Sequence, residues 1–430
     1  MPEHKLIEDA DALGDDHILF ALLLLLRDLR LWAESTPTER PKLLLAPSPN
    51  RTDALRFAAE HCESIAEAVQ ALSALRTDSD RATAEVLNAA CQRIARWAHR
   101  NSLSCIALLY SEAAVRVAPH IAASANFAGR MARIAGHPDR SECWFDYGIR
   151  IAGRDGNRNR REMIRALLGK GTILREHGRL DDARPLLDRA ARLCAATRRH
   201  RLAAETHHDL YALAVMLGSY PEAEAHMLSA LQHYPVHHSA IPGLIHDWCF
   251  LLVQQGYYSQ AASLLQASIP SIQRLEIQLV SWGTLSRAAA GAGFKQLYEE
   301  AVQHIENLVE RTHTYAAAAL AHAAYGARFF AQGEVGLRFA TRARAIAVAR
   351  GETEIVQGVD EFIAAIHALE APIPPAQPPE DSHIPEIHDR IMFLLQARQR
   401  PMRRPVQPSV EREAGGQQLV PARRPLSSGH

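Results

Sequence analysis

Between Arg165 and Ser268 one pattern of small and apolar positions comes round three times. In the first copy Leu167, Gly171 and Leu174 share a helical face by i, i+4, i+7 spacing. Gly178 follows, and Leu180, Ala183, Leu187 and Ala190 open a second face. The second copy reads Ala214, Gly218, Tyr220, Ala223, Met227, Ala230 and Pro235; the third reads Ile245, Leu252, Gly256, Tyr258, Ala261 and Leu265. Each copy predicts two helices joined at a glycine, where one helix stops and the chain turns with positive φ. The small residues Gly171 and Ala183 predict close approach of the two helix backbones.

Weaker copies flank these three. A helix over about 81–99, a turn at Asn101-Ser102 and a return from Leu103 to Val117 predict one hairpin, closed by Pro119. Another spans 120–153 around Gly136-His-Pro-Asp139, and two more turn near Gly291–Phe294 and at Gln332-Gly333. With Arg100, Gly136, Gly178, Gly218, Gly256, Gly293 and Gly333 as equivalent turns, the spacings are 36, 42, 40, 38, 37 and 40 residues. That period predicts about seven hairpins over 81–350, each touching only its neighbours, with a capping helix over about 352–369.

The flanks read differently. Ile18 to Leu26 is wholly apolar for nine residues before Arg27 and Arg30 intervene. A membrane span needs about 20 such residues. The run therefore predicts a buried cap or docking helix, the alternative being insertion into a partner or a membrane surface. The acidic residues before it do not form a secretory signal. Pro37, Pro41, Pro47 and Pro49 predict a loop over 35–50, with a short extended piece near 42–46 left open. Helical patterning resumes near Arg51, and Thr77-Asp-Ser-Asp80 is a cap-rich break. From Ala371 a proline-rich linker begins; 384–398 reads as one short amphipathic helix, and the remainder to His430 as disordered. Three parts result: 1–50, a repeat array over 51–370, and a tail over 371–430.

The words Gly-Ser-Tyr-Pro-Glu-Ala (218–223) and Gly-Tyr-Tyr-Ser-Gln-Ala (256–261) resemble the turn of a tetratricopeptide repeat. The period exceeds the usual length of about 34 residues. It is similar to the extended repeats of bacterial regulators with MalT-like or peptide-sensing tetratricopeptide domains. The resemblance implies an all-α fold, a right-handed α-solenoid, whose concave groove is lined by the first helix of each hairpin. It carries no catalytic residue. In register the groove positions fall on Asn126, Arg130 and Arg133; Arg165, Thr172 and Arg175; Glu205 and His208; His246 and Phe250; and Arg287. The arginines imply a cationic stretch able to clamp a carboxylate or acidic segment through bidentate hydrogen bonds. Solvated helix-face arginines are the plainer alternative, and the Lys/Asn pattern of the chaperone-tail carboxylate clamp is missing.

Composition changes this picture little. The chain has 430 residues, 47% hydrophobic and 22% charged, with zero formal net charge, as in a soluble globular chain without bias toward nucleic acid or anionic membrane. Six cysteines form no C-x-x-C pair, which fits buried thiols in a reducing, cytoplasmic setting. Phosphate-binding glycine loops, zinc-protease and nucleophile-elbow motifs are missing, so no enzyme, cofactor or metal is expected.

Charge is unevenly placed, however. Residues 150–201 hold 15 Arg and Lys against 6 Asp and Glu, read either as a solvated face or as a patch for an acidic peptide, with RNA less favoured. Leu202 to Gln273 has no Arg or Lys but seven histidines: His207, His208, His226, His233, His237, His238 and His246. Only His233 and His237 stand at i, i+4, and His237 falls with His238 in a turn expected after Pro235, so they read as scattered half-buried groups with a modest pH response. The leading expectation is a non-catalytic scaffold binding a peptide or protein in its groove. The rivals are a peptide-sensing regulator with a nucleic-acid output, for which residues 1–80 offer no clear helix-turn-helix, and an enzyme or metal-binding helical protein using 207–246.

Overall fold

The repeat is written into the backbone of the turns. The computed structural model describes residues 9, 13, 16–44, 49–76, 83–154, 159–312, 315–350, 352–367, 374–376 and 382–399. At seven turns a helix ends on a residue of positive φ: Ser102, Gly136, Gly178, Gly218, Gly256, Gly293 and Ala331. At Gly178 its N–H bonds to Arg175 O at 3.0 Å, and the next N–H, from Arg179, bonds to Leu174 O at 2.9 Å. The same two bonds recur at all seven turns. They satisfy carbonyls that a helix end otherwise leaves without partners. The following residue then accepts the first bond of the next helix, as Arg179 O does from Ala183 N at 3.1 Å. The donors of that bond are Ala107, Ser141, Ala183, Ala223, Ala261, Tyr298 and Gly336, all buried and all but the tyrosine small.

Two turn assignments are corrected. The first rests on Ser102 (φ 62°) and not Arg100, the last on Ala331 (φ 55°) and not Gly333. Sequence reasoning looks for glycine at such a turn, yet serine and alanine hold the left-handed conformation here, at a cost of about 1–2 kcal/mol each. The corrected spacings are 34, 42, 40, 38, 37 and 38 residues.

Seven hairpins follow: α5 (Ala84–Arg100) with α6 (Ser104–Val117), α7 (Ala122–Ile134) with α8 (Pro138–Arg154), α9 (Arg160–Glu176) with α10 (Leu180–Thr197), and α11 (His200–Met216) with α12 (Tyr220–His233). Then come α13 (Ile241–Gln254) with α14 (Tyr258–Ser268), α15 (Leu275–Gly291) with α16 (Lys295–Val309), and α17 (Ala316–Phe329) with α18 (Gly333–Arg350). The helix α19 (Thr353–His367) packs on the last hairpin. The described residues are all-α, an α-solenoid without a strand. Close approach is clearest at Gly283, where an added Cβ would lie 2.6 Å from Ala319 Cα.

Ahead of the array stand α1 (Asp16–Glu34), α2 (Arg40–Leu44), α3 (Pro49–His61) and α4 (Ala66–Ser73). Leu22, Leu25 and Leu29 of α1 are buried, and Tyr110 of α6 donates to Leu22 O at 2.7 Å. Burying each such leucine contributes roughly 1.5–3 kcal/mol. Two of the prolines expected to make a loop instead lie in the first turns of α2 and α3. A helix makes no use of those N–H groups, so proline is tolerated there.

The last helix, α20 (Ile384–Gln399), returns to the array and packs on α12 and α14. Ile387, Ile391 and Leu394 are fully buried in that seat. Glu224 of α12 accepts from Ser382 Oγ at 3.0 Å and from His383 N at 2.7 Å, capping the helix start. Just before it, Ala376 N donates to Gly256 O at 2.9 Å, and Arg398 near its end donates to Val236 O and His238 O. The break expected at 77–80, most of the linker and the tail over 400–430 lie outside the described residues.

Candidate functional site

Counting back ten and six residues from each positive-φ residue gives the inner face of each first helix. The first four hairpins supply Gln92 and Arg96, Asn126 and Arg130, Leu168 and Thr172, and His208 and Ala212. All but Ala212 line a single cavity of about 530 Å³. Phe127, Arg133, Phe145, Glu162, Arg165, Arg201, Glu205, Asp209 and Tyr234 complete its wall.

The sequence treats the arginines as equal members of one cationic stretch; the structure separates them. Arg133 pairs with Glu176 at 2.5 Å, Arg165 with Glu162 at 3.0 Å, and Arg201 with Glu205 at 3.1 Å. Arg175 pairs with Asp209 at 3.1 Å and does not line the cavity, although Asp209 does. Arg96 donates to Gln92 Oε1 at 2.6 Å. Arg130 has no hydrogen bond or ion pair among the described residues. Its guanidinium lies 5.5 Å from the Phe127 ring centroid, and that of Arg96 lies 5.4 Å from the same ring. The protein packed around Arg130, then Arg133 and Arg165, lower its pKa from the ordinary value, with Glu205 opposing. Arg130 is thus an exposed cation of the wall with no ion pair, on which Arg133 and Arg165 act against Glu205.

A buried amide and a hydroxyl lie beside these charges. Asn126 is buried, and its Nδ2 donates to Glu162 O at 2.9 Å and to Glu162 Oε2 at 3.1 Å. Its Oδ1 has no partner. A buried acceptor without a donor costs on the order of 1–3 kcal/mol. Thr172 Oγ1 donates to Leu168 O at 2.8 Å and lies 3.1 Å from Asp209 Oδ2, so its hydroxyl is engaged.

The remaining predicted positions are not brought to this cavity. His246 and Phe250 sit on α13, and Arg287 on α15. Asp247 joins the two regions: its carboxylate lies 2.9 Å from His208 Nε2 and 3.3 Å from His246 Nδ1. Burial opposes ionisation of Asp247, but those two histidine bonds hold its carboxyl below the usual range. His246 Nε2 also lies 3.1 Å from Thr284 Oγ1. Phe250 meets His322 edge-on, and the Arg287 guanidinium stacks 4.6 Å from the Tyr325 ring.

Sequence reasoning missed Gln92 and Arg96 because the first turn was set at Arg100; from Ser102 both fall into register. Phe145 and Tyr234 come from outside the first helices and carry no register signal. The histidines are also less scattered than their spacing suggests: His207 meets His226, and His233 meets His200.

No protein-family model matches this chain. No curated protein matches it either. Among solved structures, a Rap protein complexed with Competence and Sporulation Factor is similar at 12% identity. That likeness covers 79% of this chain and 99% of the other, with a TM-score of 0.45. A circular tandem repeat protein with novel repeat topology is 14% identical, covering 91% of this chain and 89% of the other, with a TM-score of 0.15. The helical-repeat assignment rests on this chain's own hairpins.

Proposed function

We propose that the chain is a non-catalytic scaffold of the tetratricopeptide type, akin to the extended repeats of bacterial regulators. Its partner is a protein whose acidic segment enters the arginine-lined cavity. The observation that carries this reading is Arg130, a cation with no ion pair on the wall of a 530 Å³ cavity. A ligand carboxylate supplies the missing anion and takes the planar fork of the guanidinium bidentately. Phe127 supports the face of that fork. Arg133 and Arg165, already paired, hold the wall in shape. A cavity of this size takes one or two side chains of a longer segment, and the rest of the segment lies along the inner helices.

The six cysteines, all unbridged, support a cytoplasmic setting. Among the described residues no helix is long and apolar enough to cross a membrane.

The reading is tested by capture from native lysate with the full chain beside Arg130→Ala and an Arg96→Ala/Arg130→Ala pair, each checked for helicity. The expected result is one partner retained by the parent and lost by both variants. A partner held equally by all three overturns the cavity assignment.

A further inference from the structure

We propose that His207 and His226 form a divalent transition-metal site that ties α11 to α12, with His200 and His233 as a weaker second pair. The ligand class is Zn²⁺, Ni²⁺ or Cu²⁺. This inference stands apart from the arginine-lined cavity and does not depend on it.

The placement follows from spacing. His200 and His207 are seven residues apart on α11, and His226 and His233 are seven apart on α12. Seven residues are two helical turns, so each pair shares one face. Because the helices run antiparallel in the hairpin, His207 meets His226 and His200 meets His233. The Nδ1 atoms face each other at 3.2 Å in the first pair and 3.3 Å in the second. The His207 and His233 rings stack with centroids 6.0 Å apart, so the pairs adjoin.

Those separations suit a chelate. At metal–nitrogen bonds of about 2.0–2.1 Å, two imidazoles on a tetrahedral ion stand about 3.3–3.4 Å apart. The nitrogens need almost no change in separation, and each ring turns so that its Nδ1 lone pair points at the ion rather than along the Nδ1···Nδ1 line. Among the described residues no three His, Cys, Asp or Glu side chains converge on one point. The protein thus supplies two nitrogens, and solvent fills the remaining positions.

A carboxylate is poised to set the tautomer. Glu222 Oε1 lies 3.7 Å from His226 Nε2, one turn away on the same helix. Arg184 of α10 holds Glu222 with two bonds of 2.6 and 2.9 Å. A carboxylate beside the outer nitrogen favours Nε2–H and leaves the Nδ1 lone pair free for metal, the arrangement usual around histidine ligands. On binding, two metal–nitrogen bonds form and two metal-bound waters leave. The imidazole that donated its Nδ1–H to its neighbour moves that proton to Nε2 through solvent, and no net proton is lost.

The test is titration calorimetry of the full chain, freed of metal by chelator, with ZnCl₂ and then NiCl₂. It is run beside His207→Ala/His226→Ala, Glu222→Gln and His237→Ala, with circular dichroism confirming that each folds. Expected are saturable uptake and a metal-dependent rise in Tm for the parent, the tighter phase of both lost in the double variant, which keeps only the weaker His200–His233 pair, and unchanged in His237→Ala. Glu222→Gln keeps both imidazoles and is expected to weaken binding about tenfold. Should the double variant fail to fold, Glu222→Gln alone decides. Uptake equal in the parent and in the folded pair variant, unchanged affinity in Glu222→Gln, or no saturable uptake by the parent would overturn the proposal.

Discussion

The inner face of the solenoid does two different things along one register. In the first four hairpins, the positions ten and six residues before each turn, all but Ala212, line an open cavity, and Arg130 there has no ion pair. In the next three the same positions hold His246 and Phe250, Gly283 and Arg287, and Ala321 and Tyr325. There the side chains partner one another: Arg287 lies over Tyr325, Phe250 meets His322, and Tyr325 meets Phe362 and donates to Gly358 O at 2.9 Å. Arg130 and Arg287 occupy equivalent positions and each lies over an aromatic ring, yet Arg130 is exposed on the cavity wall while Arg287 is half-buried against its neighbours. The difference begins with small residues, because Gly283 against Ala319 draws α15 onto α17 and leaves little room between inner side chains. A repeat position thus fixes where a residue points, and the neighbouring repeat decides whether it is free to bind.

Substitutions can break this contrast. Gly283→Val places a branched side chain where even a Cβ lies 2.6 Å from Ala319 Cα. It is expected to cost about 3 kcal/mol, read as a lower denaturant midpoint, while partner capture persists because the cavity lies hairpins away. Asp247→Asn removes the charge that joins the halves through His208 and His246 and is expected to cost on the order of 1–3 kcal/mol at pH 7. The carboxyl is held below its usual range, so its contribution is present at neutral pH and is lost as acid protonates it. The Asn variant should therefore differ from the parent less in acid than at pH 7.

A smaller effect concerns His207, whose pKa falls from 6.5 to about 4. Between those values the unfolded chain binds the proton and the folded chain does not, so stability declines as pH drops through that window. His207→Gln should flatten that decline in melts from pH 7 to pH 4; an unchanged slope would count against the neutral histidine cluster.

Glycine made most of the architecture legible in the chain. Gly136, Gly178, Gly218, Gly256 and Gly293 mark five of the seven turns directly, and each has positive φ. Ser102 and Ala331 are invisible by that rule, and the two-residue slip at Ser102 hid Gln92 and Arg96 from the site. Residue type also says nothing of partners. Glu176 neutralises Arg133 and Asp209 neutralises Arg175 from 43 and 34 residues downstream, about one repeat on. Arg165 and Arg201 are neutralised within their own helices instead, by Glu162 and Glu205. The histidine pairs stand at i, i+7 on two helices, a spacing that a search for i, i+4 passes over. The seat of α20 had no signal: an amphipathic stripe announces that a helix will pack, and not on what.

Two arginines at equivalent positions test the division of the inner face most directly. Arg130→Ala and Arg287→Ala are made in the full chain, and each is measured for partner capture and for unfolding free energy. The prediction is a crossed result. Arg130→Ala loses the partner with stability changed by less than about 0.5 kcal/mol, whereas Arg287→Ala keeps the partner and is destabilised by about 1 kcal/mol or more. Capture retained by Arg130→Ala, or abolished by Arg287→Ala without loss of stability, would contradict the division of the inner face.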